Sequence, residues 1–334
     1  MDCTFQIITG LVARFINEVD ELSLEDLKLI RSLNHIILRN KFEIRDRRYV
    51  IHRGLEENYT YAYDFLSTIK PEYASHLEKS RIEGTITFPK ARKMKYPVAT
   101  SDYDYETGRS KMVVPRFNNL EDSYAMTHEI MHDSNMDPES LTQERDLFTE
   151  AISLLFEFLQ EDYFASLSKR PLDYRKNKIN DLNAILYKAV GIEYQLDLIE
   201  KYLENGIITE EIFKDIMKTR TKKEAKIGDD IFTSLFEKGI LDIDMQQRYI
   251  YGILLATYIH DRIIEDPTKI KEAIELNESL NDTSIEEIFA RFNLPLEVEE
   301  KHFVIPEETI KILEKSYVNE LKRAGVKWIK WLLF

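Results

Sequence analysis

A mainly α protein with one small antiparallel β-sheet is the fold class this sequence predicts, and three observations carry the prediction. Only 10 glycines and 9 prolines interrupt 334 residues. Apolar residues recur at helical spacing along most of the chain. The β-type signal is confined to one stretch, Gly84 to Phe117, where β-branched and aromatic residues lie between turn residues. A hydrophobic content of 43% supplies core for one large or two ordinary domains.

The apolar run Phe5 to Ile16 is broken by Arg14 and preceded by Asp2 rather than by a basic segment, so it reads as a packed helix and not as a signal peptide. Ser23 caps an amphipathic helix from Leu24 to about Arg39. Pro71 starts another, which Gly84 ends, with Tyr73, His76 and Leu77 along one side; His76 reads as structural. Thr85-Ile86-Thr87-Phe88 is a short strand. Tyr96 to Tyr105 and Lys111-Met112-Val113-Val114 flank the hairpin-like turn Glu106-Thr107-Gly108. Helices return from Leu172 to Gly206 and from Thr209 to Asn293, with Gly206 and Gly239 as terminators. The basic cluster Lys218 to Lys226 reads as a solvated loop. A last helix begins near Pro306, and the apolar tail Trp328 to Phe334 calls for a cover, most simply the protein's own body.

The densest chemistry lies between Thr127 and Glu157. His128 and His132 are four residues apart, which on a helix is about 40° of rotation and about 6 Å of rise, so both imidazoles leave one face and can reach one ion. Glu129 falls between them, beside the ion rather than on it. Zinc in a hydrolytic site takes three protein ligands and leaves a fourth position for water. Asp137-Pro138 is a strong helix start, and the helix it opens carries Glu150, the best candidate for the third ligand. Asp146, Glu150, Ser153 and Glu157 fall in one stripe of that helix, amid Leu147, Ile152, Leu155 and Phe158. On that spacing Asp146 and Glu157 are candidates to orient the imidazoles.

Composition narrows the remaining classes. A net charge of −14 argues against a nucleic-acid partner. No segment has membrane-spanning length. A single cysteine, Cys3, excludes a disulfide framework and suits a reducing, cytoplasmic setting.

The run Glu144 to Ser153, with Glu157 beyond, resembles the third-ligand helix of the thimet oligopeptidase and oligoendopeptidase F family of zinc peptidases. Pro115-Arg116-Phe117-Asn118-Asn119, Asp122 and Thr127-His128-Glu129 are similar to the segment before that family's metal motif. The resemblance covers about Tyr73 to Ala290 and implies a zincin-like (gluzincin) fold with one Zn2+ per chain. By it, His128, His132 and Glu150 would be the ligands and Glu129 the general base. Tyr249 and Tyr251, before Gly252, resemble the tyrosine-rich segment that donates to the oxyanion. Two features depart from the family. Met131 stands where glycine usually precedes the second histidine, and no histidine lies in Gly239 to Gln247, shortly upstream of the tyrosines. His260 is three turns beyond Tyr249, too far along the helix for an obvious substitute.

The expected organisation is therefore a single catalytic body, 1–334, with two lobes around a cleft: N-terminal helices over residues 1–70, a metallopeptidase core over 71–295 and a C-terminal helical tail over 296–334. Its expected function is zinc-dependent hydrolysis of peptide bonds, on peptides or unstructured protein segments. The hairpin before the metal helix is either an edge that pairs with the substrate backbone, as the resemblance implies, or an ordinary structural hairpin. The rival is a catalytically inactive or regulatory zinc-binding relative that acts through protein interaction.

Overall fold

The computed structural model describes residues 3–18, 24–40, 50–104, 109–134, 143–218, 224, 226, 243–280, 283–299 and 302–326. Among the described residues eight helices precede Ile243: α1 (Cys3–Glu18), α2 (Leu24–Arg39), α3 (Leu55–Ile69), α4 (Pro71–Glu83), α5 (Glu121–Asp133), α6 (Gln143–Leu167), α7 (Pro171–Asn205) and α8 (Glu210–Lys218). Four follow among the described residues: α9 (Ile243–Glu265), α10 (Ile270–Ser279), α11 (Ile285–Arg291) and α12 (Glu307–Arg323). Local chemistry sets several of these boundaries. Pro71 and Pro171 occupy the first turns of α4 and α7, where a missing N–H costs nothing, and Gly84 and Gly206 close the same helices in the left-handed region at φ 72° and 68°. Ser284 and Glu287 form a reciprocal capping box at the start of α11.

The sheet follows the predicted strands and adds a detail to them. Strands β2 (Thr100–Asp104) and β3 (Arg109–Val113) pair antiparallel, whereas β1 (Ile86–Thr87) pairs parallel with β3, in the order β1-β3-β2. The sheet is thus mixed. Residues 88–99, with a 3-10 turn at Ala91–Lys93, carry the chain from the end of β1 to β2 so that β3 lies between them. β2 is left at an edge and packs beside α5. A further two-stranded ribbon, β4 (Glu297–Glu299) with β5 (His302–Val304), precedes α12.

Helix α6 is the centre of the body. Ala151, Ile152, Ser153, Leu154, Leu155, Phe156 and Phe158 are all buried, because α5, α7 and α9 pack around it. A helix buried on nearly every side is one enclosed by others. The core is continuous from Ile8 on α1 to Val326 after α12. α2 is joined to α7 by Asn34, whose Nδ2 donates to Ala189 O at 2.9 Å and to Glu193 Oε2 at 3.0 Å. Among the described residues no helix is long and apolar enough to cross a membrane. The turn 106–108, the helix start at Asp137-Pro138, Gly239, most of the basic cluster Lys218 to Lys226 and the tail 328–334 lie outside the described residues.

Candidate metal centre

The loop before α5 is tied to the helix it introduces. The Asp122 carboxylate accepts from the backbone N–H groups of Phe117 and Asn118, both at 2.9 Å, and Asn58 Nδ2 donates to Asn119 O at 2.6 Å. Asn118 stands in the left-handed region at φ 59°, a conformation asparagine tolerates better than most residues. This explains why the Pro115 to Asp122 segment carries asparagines and an aspartate. Met131 is 1% exposed and belongs to the core, so the larger side chain before His132 is accommodated inside. His76 reaches Asp133, the residue after His132, at 2.5 Å and ties α4 to the last turn of α5, in the structural role expected of it.

His128 and His132 leave α5 on one face with their Nε2 atoms 2.9 Å apart. From α6, Glu150 Oε2 stands 3.6 Å from His128 Nε2 and Oε1 stands 3.7 Å from His132 Nε2. Donor atoms of the three residues all lie within 4.8 Å of one another, and among the described residues they form the one such group. Four ligands at about 2.0–2.1 Å in a tetrahedron stand about 3.3 Å apart, a value that the separations of 2.9 to 3.7 Å bracket. Glu150 Oε2 is also buried without a hydrogen-bond partner, a position that a bound cation would satisfy. The donor set and its geometry therefore fit a metal ion.

Glu157, two turns beyond Glu150 on α6, lies 2.5 Å from His128 Nδ1. The contact turns the other ring nitrogen toward Glu150 and His132, as a carboxylate behind a ligand imidazole does. Burial disfavours the His128 imidazolium, yet Glu157, Glu150 and Glu129 outweigh it and push its pKa up to about 10. His132, equally enclosed and beside that charge, is pushed well below its ordinary value. One proton thus serves two rings, and a dication would displace it. Asp146 lies on α6, with its side chain outside the described residues.

Glu129 is 3% exposed. Burial raises its pKa to about 7, with His128 opposing and Glu150, Glu157 and Asp102 adding to the rise. Asp102 comes from the edge strand β2, which brings that edge within electrostatic reach of Glu129. A carboxyl near 7 is matched to taking and returning a proton.

The two tyrosines are not equivalent. Gly252 of α9 lies against Glu150, and Tyr249, three residues earlier, shares that helical face. Burial first, then Glu150, Glu129 and Glu157, raise the Tyr249 pKa, so its hydroxyl keeps its proton. Tyr251 is about 160° from Tyr249 around the helix, and both are half-buried against the core. His260 takes no part: it is fully buried, 2.8 Å from Glu320 and 3.1 Å from Asp162. Lys188, on α7, places Nζ 3.6 Å from the Tyr249 ring centroid; burial raises the Glu150 pKa, and His128 first, then Lys188 and Arg248, oppose that rise. Nothing in the sequence around Lys188 marks it, because its place depends on how α7 crosses α9.

No protein-family model and no curated protein sequence matches this chain. Solved structures do. A protein described as a peptidase from Chlamydophila abortus is 17% identical with a TM-score of 0.53, over 96% of this chain and 55% of that one. One described as an oligoendopeptidase F from Bacillus anthracis str. Ames is 14% identical with a TM-score of 0.56, over 95% and 57%. PZ peptidase A, with an inhibitor, is 14% identical with a TM-score of 0.56, over 94% and 59%. The chain therefore spans a little over half the length of each. At such identities the likeness is one of fold, and it is the mainly α, zincin-like fold of oligoendopeptidase-like peptidases.

Proposed function

We propose that this chain is a zinc-dependent peptidase that hydrolyses internal bonds of peptides or unstructured protein segments. The observation that carries the reading is the convergence of His128, His132 and Glu150 beside the buried carboxyl of Glu129. The shared fold with oligoendopeptidase F and PZ peptidase A supports it. Zinc held by His128, His132 and Glu150 would supply Lewis acidity, lowering the pKa of a water and polarising the scissile carbonyl. Glu129 takes the proton of the attacking water and returns it to the leaving amine. Tyr249 donates from its neutral hydroxyl to the developing oxyanion, a role that its position on the Glu150 side of α9 favours over Tyr251. Glu157 orients His128. The substrate backbone pairs with the outer edge of β2, which gives affinity without a fixed sequence. One cysteine in 334 residues supports a cytoplasmic setting, and we place the site in a cleft between two lobes of one catalytic body.

The test pairs metal content with turnover of a quenched-peptide library. About one zinc per wild-type chain is expected, with none in His128→Ala/His132→Ala. Glu129→Gln should keep the zinc and lose at least about 10² in turnover. Full zinc in wild type with no cleavage of any peptide would favour the inactive, interaction-based relative. Full zinc in the double histidine variant would remove the site.

A further inference from the structure

Gly252 stands near the middle of α9, which continues as regular helix on both sides from Ile243 to Glu265. Glycine is a poor helix former, and no turn or left-handed backbone calls for it at this position. The reason lies across the contact. A Cβ at residue 252 would stand 3.0 Å from the Glu150 Cβ and 3.3 Å from both the Ala151 nitrogen and the Glu150 carbonyl carbon. Two of those three atoms are backbone of α6, a helix enclosed on all sides, so they cannot swing away as the tip of a long side chain would. α9 also buries Ala256, one turn on, and α6 buries Ala151.

We propose that Gly252 is a positioning residue for the metal centre. By letting α9 press against the α6 backbone at Glu150, it holds that carboxylate within reach of His128 and His132, and it brings Tyr249 down beside them. The inference rests on the zinc reading above and adds a residue that touches neither metal nor substrate. Its physical basis is the narrow tolerance of a coordination sphere, about 0.2 Å in ligand distance, against the several tenths of an ångström by which one methyl would part the helices. A change this small is absorbed by a flexible surface and not by a ligand whose backbone is in the contact.

Zinc affinity decides the matter, measured by competition with a chromophoric chelator in four chains: wild type, Gly252→Ala, Glu150→Gln and the double variant. Gly252→Ala should weaken zinc about 10-fold or more in the wild-type background and have no further effect once Glu150 is Gln. Equal losses in both backgrounds would mean a general loosening of the body and overturn the proposal. So would Gly252→Ala binding zinc as tightly as wild type. If Gly252→Ala does not hold its fold in buffer, the four titrations repeated in trimethylamine N-oxide yield the same decision. A wild-type chain that takes no zinc would remove the metal reading itself, whereas wild-type zinc with an unaffected Gly252→Ala removes this inference alone.

Discussion

Helix α6 carries two clusters of charged side chains about three turns apart, and they differ in the source of the positive charge. At the first, Glu150 faces two imidazoles whose nitrogens converge, and one of its oxygens has no hydrogen-bond partner. At the second, Lys178 of α7 reaches Glu320 of α12 at 2.6 Å and Glu161 at 3.4 Å, while lying 4.3 Å from the Phe158 ring centroid. Arg323 adds a contact to Glu320 at 2.8 Å and one to Asp261. Both nitrogens of His260 there face carboxylates, whereas His128 gives one nitrogen to Glu157 and turns the other inward. Buried charge by itself therefore does not mark a functional site. What sets the first cluster apart is the convergence of two imidazole nitrogens and a carboxylate on one point, where the second has a lysine ammonium between its carboxylates.

Lys178→Met is expected to have the largest effect. It leaves Glu161 and Glu320 buried without their ammonium and should cost about 3–5 kcal/mol in urea unfolding, with zinc per chain unchanged. Zinc lost together with stability would merge the two clusters into one functional unit. Next in size, Tyr249→Phe should lower turnover about 10²-fold at constant zinc, while Tyr251→Phe stays within a few-fold. A reversed order in the steady-state rates would break the assignment by helical face. Glu157→Gln should weaken zinc about 10- to 100-fold in the same chelator competition, with little change in the unfolding midpoint of the metal-free chain.

The smallest effect sharpens the comparison from the other side. Neither oxygen of Glu161 has a hydrogen-bond partner, and burial holds its pKa well above the ordinary carboxylate range despite Lys178. A carboxyl whose folded pKa is raised binds its proton more tightly in the native state, so its contribution to stability declines as pH rises above the unfolded value of about 4.3. Glu161→Gln should thus be neutral or stabilising by up to about 1 kcal/mol at pH 7, and the difference from wild type should be larger at pH 8 than at pH 5. Thermal unfolding at the two pH values measures it. A variant destabilised equally at both would show that Glu161 is held as a charged partner of Lys178.

The legible features of the site are those whose geometry is local. His128 and His132 are readable because four residues on one helix always share a face, and Glu150 and Glu157 because an acidic stripe repeats at helical spacing inside an apolar helix. The helix ends at Gly84 and Gly206 were equally open to reading, since the left-handed cap is a property of one residue. The sheet shows where such reading stops. The strands were located by composition, but the parallel pairing of β1 depends on residues 88–99 carrying the chain across, which no alternation pattern encodes.

By itself the sequence determined a mainly α chain and the donor set of a candidate metal centre, because periodicity, caps and i, i+4 spacing act within a few residues and survive any arrangement of the helices. The tertiary structure alone decided that Gly252 is crowded against Glu150, that Lys188 lies over the Tyr249 ring, and that His260 is committed to Glu320 and Asp162. Each of these depends on where α9 meets α6, α7 and α12. Those crossings join residues about 60 to 100 positions apart, and they are set by the packing of the whole core rather than by any neighbourhood along the chain.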